Sequence, residues 1–180
     1  MRKGINRALL SSQNRGLYEN ATLQSSKCVF ISHKSEDIEV AKEIAALLQN
    51  DGIDVYLDTN DFGLQRATRE GNASKIVECI ERALSVSTHI LVLVTDKTKE
   101  SWWVPYEVGF SKKGKKQIAS LLLRSVSSFP DYLQIERQLF NLNDLKQYVR
   151  ELRDTLYFEG ATDLFTARQI EQKLIKYIRG

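Results

Sequence analysis

The run His89-Ile-Leu-Val-Leu-Val94, followed by a helix start at Ser101-Trp-Trp-Val-Pro-Tyr-Glu107, decides the fold. A continuous apolar stretch of strand length, bounded by polar residues, is the pattern of a strand buried on both faces, as in a parallel sheet. The next segment carries Trp103 and Glu107 four apart, so a helix there puts both on one face. Working outward, Cys28-Val-Phe-Ile-Ser32, Ile53-Asp-Val-Tyr-Leu57 and Gln117-Ile-Ala-Ser-Leu-Leu-Leu123 repeat the strand pattern, and Ile135–Phe140 gives a weaker edge strand. Ile38, Ala41, Ala45 and Leu48 form a helical stripe that Asn50-Asp51-Gly52 ends. Ser35 is its expected N-cap, with Glu36 and Asp37 in the first turn. Ile76, Cys79, Ile80, Ala83 and Leu84 mark a second amphipathic helix, and Leu142–Leu156 and Leu164–Ile178 read as two closing helices. Strands alternating with helices at this spacing predict an α/β fold, a doubly wound parallel sheet of four to five strands.

In such sheets the ligand site lies off the carboxyl ends of the strands. Those ends are Ser32-His33, Asp58 and Thr95-Asp96, and the Glu107 helix follows the third. The stretch from Asp58 to Asn72, polar and containing Gly63 and Gly71, is longer than an ordinary connection and is expected to be a functional loop.

A chain of 180 residues is one domain with room for a proper core, and 42% hydrophobic with 27% charged residues is globular and not disordered. A net charge of +3 is too small to argue for nucleic acid or a membrane surface. The basic run Lys112-Lys-Gly-Lys-Lys116 is read as ordinary helix-end cations. Cys28 and Cys79 show no metal-binding or redox spacing, so they are read as core residues, no metal is expected, and a reducing cytoplasm is the expected location. The N-terminus has no apolar stretch of signal-peptide kind, and no segment approaches the roughly 20 apolar residues of a membrane span. Residues 1–26 read as an N-terminal arm, loose or packed as a short outer helix; 27–180 reads as a single domain, with 125–180 its helical closing part.

Four blocks in register carry a resemblance. Val29-Phe-Ile-Ser-His-Lys-Ser-Glu-Asp37, Gly52-Ile-Asp-Val-Tyr-Leu-Asp58, Ile90-Leu-Val-Leu-Val-Thr95 and the frame Ser101-x-Trp103-x-x-x-Glu107 together resemble the TIR domain family, over about residues 27–124. The resemblance implies a flavodoxin-like fold and cleavage of NAD+ at the nicotinamide–ribose bond, with NAD+ as substrate and no cofactor. It puts the catalytic glutamate on Glu107, the active-site tryptophan on Trp103, and substrate contacts on Ser32, His33, Lys34, Asp58 and Ser101. It also implies a homo-oligomer through TIR–TIR contacts and, in bacterial antiphage defence, a nucleotide signal received by a separate effector. Thr59–Asn72 departs from the family's Pro-Gly or Gly-x-x-Phe loop, so no residue is carried over from it, and the part after residue 124 resembles nothing in the generic domain.

The residue types suit that chemistry. Nicotinamide departs from NAD+ as a neutral ring, so no general acid is needed. What needs stabilising is the oxocarbenium-like ribose, and one oriented carboxylate suffices. An indole stacked on the cationic ring contributes about 0.5–2 kcal/mol. Attack by water gives ADP-ribose and attack from within the molecule gives a cyclic product; both stay open.

Other readings compete. A non-catalytic TIR adaptor is the alternative, but adaptors usually lack the glutamate. A phosphorylated receiver needs an acidic pair where this chain has Ser32-His33, and a dehydrogenase needs GxGxxG after the first strand. Of Trp102 and Trp103, one is expected in the core and Trp103 in the site. His33 fits either ligand contact or a solvated turn, Asp58 either a site residue or a loop cap, and His89 a structural place.

Overall fold

In the computed structural model, which describes residues 3–10, 27–154 and 163–180, five strands form one parallel sheet. They are β1 (Cys28–Ser32), β2 (Asp54–Tyr56), β3 (His89–Val94), β4 (Gln117–Leu122) and β5 (Arg137–Leu139), in the order β2-β1-β3-β4-β5. This is the flavodoxin-like order, and its direction reverses between β1 and β3. Register pairs Phe30 with Tyr56 and Ile90, and Leu91 with Ala119, so the carboxyl ends of β1, β2 and β3 lie together.

The helices are α1 (Ile38–Asn50), α2 (Phe62–Arg69), α3 (Ala73–Ser85), α4 (Trp103–Lys113), the short α5 (Asp131–Gln134), α6 (Leu142–Asp154) and α7 (Leu164–Leu174). Alternate strand residues face opposite layers. Val29, Ile31, Leu91, Leu93, Ala119 and Leu121 pack with α1, α6 and α7. Phe30, Ile90, Val92, Val94, Ile118 and Leu122 pack with α3, α4 and Leu133 of α5. Burying one such Leu, Ile or Val side chain contributes about 1.5–3 kcal/mol, which is why β3 reads as an unbroken apolar run.

Local chemistry sets the boundaries. Gly52 ends α1 at a φ of 77°, in the left-handed region that a side chain disfavours. Residues 3–10 lie along β2. Gly4 N–H donates to the Gln49 carbonyl at 2.8 Å, Val55 N–H to the Ile5 carbonyl at 2.9 Å, and Arg7 pairs with the fully buried Asp54 at 2.9 Å. A Cβ on Gly4 would sit 1.9 Å from the Ile53 carbonyl oxygen, so only glycine allows this approach. The rest of the expected arm, 1–2 and 11–26, lies outside the described residues.

Four expectations are corrected. Ser35 does not cap α1: residues Ser35–Asp37 form a 3-10 turn, and the Ser35 hydroxyl donates to Glu36 instead. The stretch after Asp58 is not one loop. Asp58–Asn60 make a 3-10 turn, and Asp61 caps α2 by accepting from Gly63 and Leu64 N–H at 2.9 and 3.1 Å. The second strand is trimmed to Asp54–Tyr56. The second closing helix is shorter than expected: α7 ends at Leu174, and the expected end of the other at 155–156 lies outside the described residues. In the basic run, Lys112 pairs with Glu136 at 2.6 Å and Lys116 donates to the Ser87 carbonyl at 2.6 Å. Among the described residues no helix is long and apolar enough to cross a membrane.

Candidate active site at the carboxyl ends of the strands

A cavity of about 750 Å³ opens at the carboxyl ends of β1 and β2, within the size range of small-molecule sites. His33, Lys34, Asp58, Ser101, Trp103 and Glu107 all line it. Ser32 does not. It sits behind the wall, 1% exposed, and its hydroxyl donates to Glu107 Oε2 at 2.6 Å. Ser32 therefore meets the cavity through the carboxyl of Glu107, not with its own side chain.

Glu107 is 7% exposed on the second turn of α4, and that burial pushes its carboxyl up to about 8 from an ordinary 4.5. The Ser32 hydroxyl pulls the other way, and the Asp58 charge adds to the rise. Asp58 is itself pushed up by burial and held down by His33. His33 Nδ1 lies 3.0 Å from the Ile31 carbonyl, which can only accept, so Nδ1 carries the proton and Nε2 faces Asp58 Oδ1 at 3.7 Å. The site thus holds two carboxyl groups with one imidazole beside the outer one.

Ser101 Oγ accepts from Val104 N–H at 3.2 Å, tying down the first turn of α4. Trp103, one turn before Glu107, is 38% exposed, and Trp102 is 90% exposed on the same cavity. The expectation of a core tryptophan is therefore corrected: the core beneath is filled by Val104 and Val108, which leaves both indoles for the mouth. His89 lies at the amino end of β3, away from this cavity, and burial with the charges of Lys27 and Lys116 lowers it to about 4. Cys28 is buried, and burial pushes its thiol up to about 12; Cys79 is also buried.

Sequence reading missed the opposite wall. Leu64, Gln65, Thr68 and Arg69 of α2, with Ile76, Ile80 and Ala83 of α3, close the cavity. A local signal existed: Asp61 precedes Leu64, Ala67 and Thr68 at helical spacing. What makes that cap effective is distant. The Tyr56 hydroxyl donates to Asp61 Oδ2 at 2.5 Å and Arg82 donates to the same oxygen at 3.3 Å.

Comparison with known proteins agrees with this architecture. The family model described as TIR domain matches residues 29–157. A protein of Cytobacillus dafuensis named "Putative cyclic ADP-D-ribose synthase TIR2" is 30% identical over 102 residues, which cover 56% of this chain and 24% of that protein. The match therefore spans about a quarter of that relative's length. With the family model covering most of the chain, from the first strand to beyond the end of α6, this protein belongs to the TIR domain family.

Proposed function

We propose that this protein is an NAD+ nucleosidase, cleaving the nicotinamide–ribose bond and forming linear or cyclic ADP-ribose. The observation that supports it most is the pairing of Glu107, buried and held by Ser32, with Trp103 one helical turn away on the wall of the same cavity. In the free protein the Glu107 carboxyl is neutral near pH 7, because burial disfavours its charge. The pyridinium of NAD+ supplies the missing positive charge, so its arrival favours the carboxylate. As the glycosidic bond breaks, the positive charge moves from the ring to the ribose, and the carboxylate stabilises it there. The Ser32 hydroxyl keeps the carboxylate oriented throughout. Trp103 offers its face to the cationic ring. Lys34 and Arg69, which line the same cavity, suit the diphosphate.

The similarity to a protein named as a cyclic ADP-D-ribose synthase supports the cyclic product as one outcome. A signal of that kind would be received by a separate effector, in keeping with a role in antiviral defence, and association of copies through TIR–TIR contacts would complete the assembly. The test is incubation of the purified protein with NAD+, with chromatography of nicotinamide and the ribosyl product, beside Glu107→Ala. Turnover abolished in the variant is expected. No nicotinamide release from the wild type at high protein concentration would overturn the proposal in favour of a non-catalytic interaction module.

A further inference from the structure

We propose that Glu81 and Tyr106 form a positioning clamp that fixes the plane of Trp103, so that its face meets the cationic ring of the substrate. This rests on the NAD+ reading above. Trp103 opens α4 and is 38% exposed, so its own turn does little to hold it. Its indole instead meets the Tyr106 ring edge-on, with centroids 6.2 Å apart and planes at 87°. That arrangement places a positive ring edge against a negative face and resists rotation of either ring. Tyr106 is fixed in turn from two sides. It stacks on Phe110 at 6.5 Å, and its hydroxyl donates to Glu81 Oε1 of α3 at 2.5 Å. A carboxylate acceptor makes this a charge-assisted bond, stronger than a neutral one. The same bond raises the phenol's pKa, so Tyr106 remains a donor at every working pH.

Neither Tyr106 nor Glu81 lines the cavity, so both act through the indole and not on the substrate. The attraction between a cation and an aromatic ring requires the cation over the face and within about 6 Å of the centroid. An unclamped indole at an exposed helix start would spend much of its time turned away. The clamp's acceptor sits on α3 and its rings on α4, so one hydrogen bond between the two helices holds the indole's neighbour in place.

The test uses Tyr106→Phe, which keeps the ring and removes the donor, with Glu81→Ala as an independent break and Glu81→Gln as the conservative variant that keeps an acceptor. KM and kcat are measured for NAD+, and the Kd of ADP-ribose, which has no pyridinium ring, is measured by calorimetry. Tyr106→Phe and Glu81→Ala are expected to raise KM for NAD+ about three- to tenfold, the loss of one cation–π contact, with kcat within about twofold. ADP-ribose affinity should stay at the wild-type value, and Glu81→Gln should restore KM. An unchanged KM in both breaking variants overturns the clamp while leaving the enzyme reading intact. Equal loss of NAD+ and ADP-ribose binding also overturns it, since that marks general damage to the cavity. A wild type that neither binds nor cleaves NAD+ overturns the clamp together with the reading beneath it.

Discussion

Replacing Glu107 by glutamine keeps the shape of the carboxyl and removes its ability to ionise. The cost of that ionisation can be worked from the site. Glu107 moves from an ordinary 4.5 to about 8, mainly through burial. At about 1.4 kcal/mol per pH unit, that separation amounts to about 5 kcal/mol. The folded-state value lies above the unfolded one, so the folded chain binds the proton more tightly. The stabilisation is complete below pH 4.5 and is lost as pH rises through about 8. At pH 7 the unfolded chain has already released the proton while most folded molecules retain it, and the loss is about 3 kcal/mol.

Glu107→Gln escapes this loss, because a neutral amide can still accept from the Ser32 hydroxyl. At pH 5 the variant should match the wild type to within about 1 kcal/mol. At pH 7 it should be more stable by about 3 kcal/mol, and at pH 9 by about 5 kcal/mol. Urea unfolding at the three pH values, with equal m-values for both proteins, reads the difference directly. A stability difference that stays constant from pH 5 to pH 9 would refute the reasoning, because a solvated Glu107 would impose no such slope. The same variant should show no NAD+ turnover, so stability and activity move in opposite directions at one residue.

The remaining expectations follow from the same geometry. The kcat/KM for NAD+ should rise with pH through about 8, the value for Glu107 in the free protein, and Ser32→Ala should move that limb to higher pH because the hydroxyl stabilises the carboxylate; a pH–rate profile measures both, and an unmoved limb would deny Ser32 its role. Arg69→Ala should raise KM for NAD+ about tenfold, on the scale of one charge-assisted hydrogen bond, and leave nicotinamide riboside, which has no diphosphate, unaffected; equal effects on the two substrates would place Arg69 elsewhere in function. Arg7→Ala should destabilise the fold by about 3–5 kcal/mol, because it removes the ion pair of the fully buried Asp54; a loss under about 1 kcal/mol by urea unfolding would show the terminal segment to be dispensable.

Which parts of the fold were legible follows from the range of the forces involved. β3 and β4 are buried on both faces, so they read as short apolar runs of strand length, and helix spacing alone brought Trp103 and Glu107 to one wall. The helix α2 escaped because its sequence is polar, carries Gly63 in its first turn and is followed by Gly71. Its start depends on Asp61, and Asp61 is held by Tyr56 of β2 and Arg82 of α3, partners that local patterns do not display. Arg69 was lost with it. The docking of residues 3–10 was illegible for the same reason: Arg7 finds its partner Asp54 across 47 positions of sequence. Ser32 shows the limit most sharply. Its place after β1 marked it for the site, yet only the folded chain reveals that its hydroxyl points at Glu107 and not into the cavity.

Under the proposed cleavage of NAD+, the electrostatics of the cavity bear on turnover as well as on binding. Among the described residues the hydrogen-bond partner of the Glu107 carboxyl is a neutral hydroxyl, and the nearest acidic influence, Asp58, opposes its ionisation. A permanent lysine or arginine beside Glu107 would remove the stability cost, but it would also neutralise the carboxylate before substrate arrived. Leaving the position to the substrate makes the attraction conditional. It is present while the ring is cationic and fades once nicotinamide becomes neutral, as does the attraction of Trp103 for the same ring. The leaving group therefore loses both of its electrostatic contacts in the step that forms it, and the carboxylate is left facing the positive ribose. On that proposal, transition-state stabilisation and release of the first product would arise from one arrangement, and its cost is borne by the folded state as the pH-dependent loss assigned to Glu107.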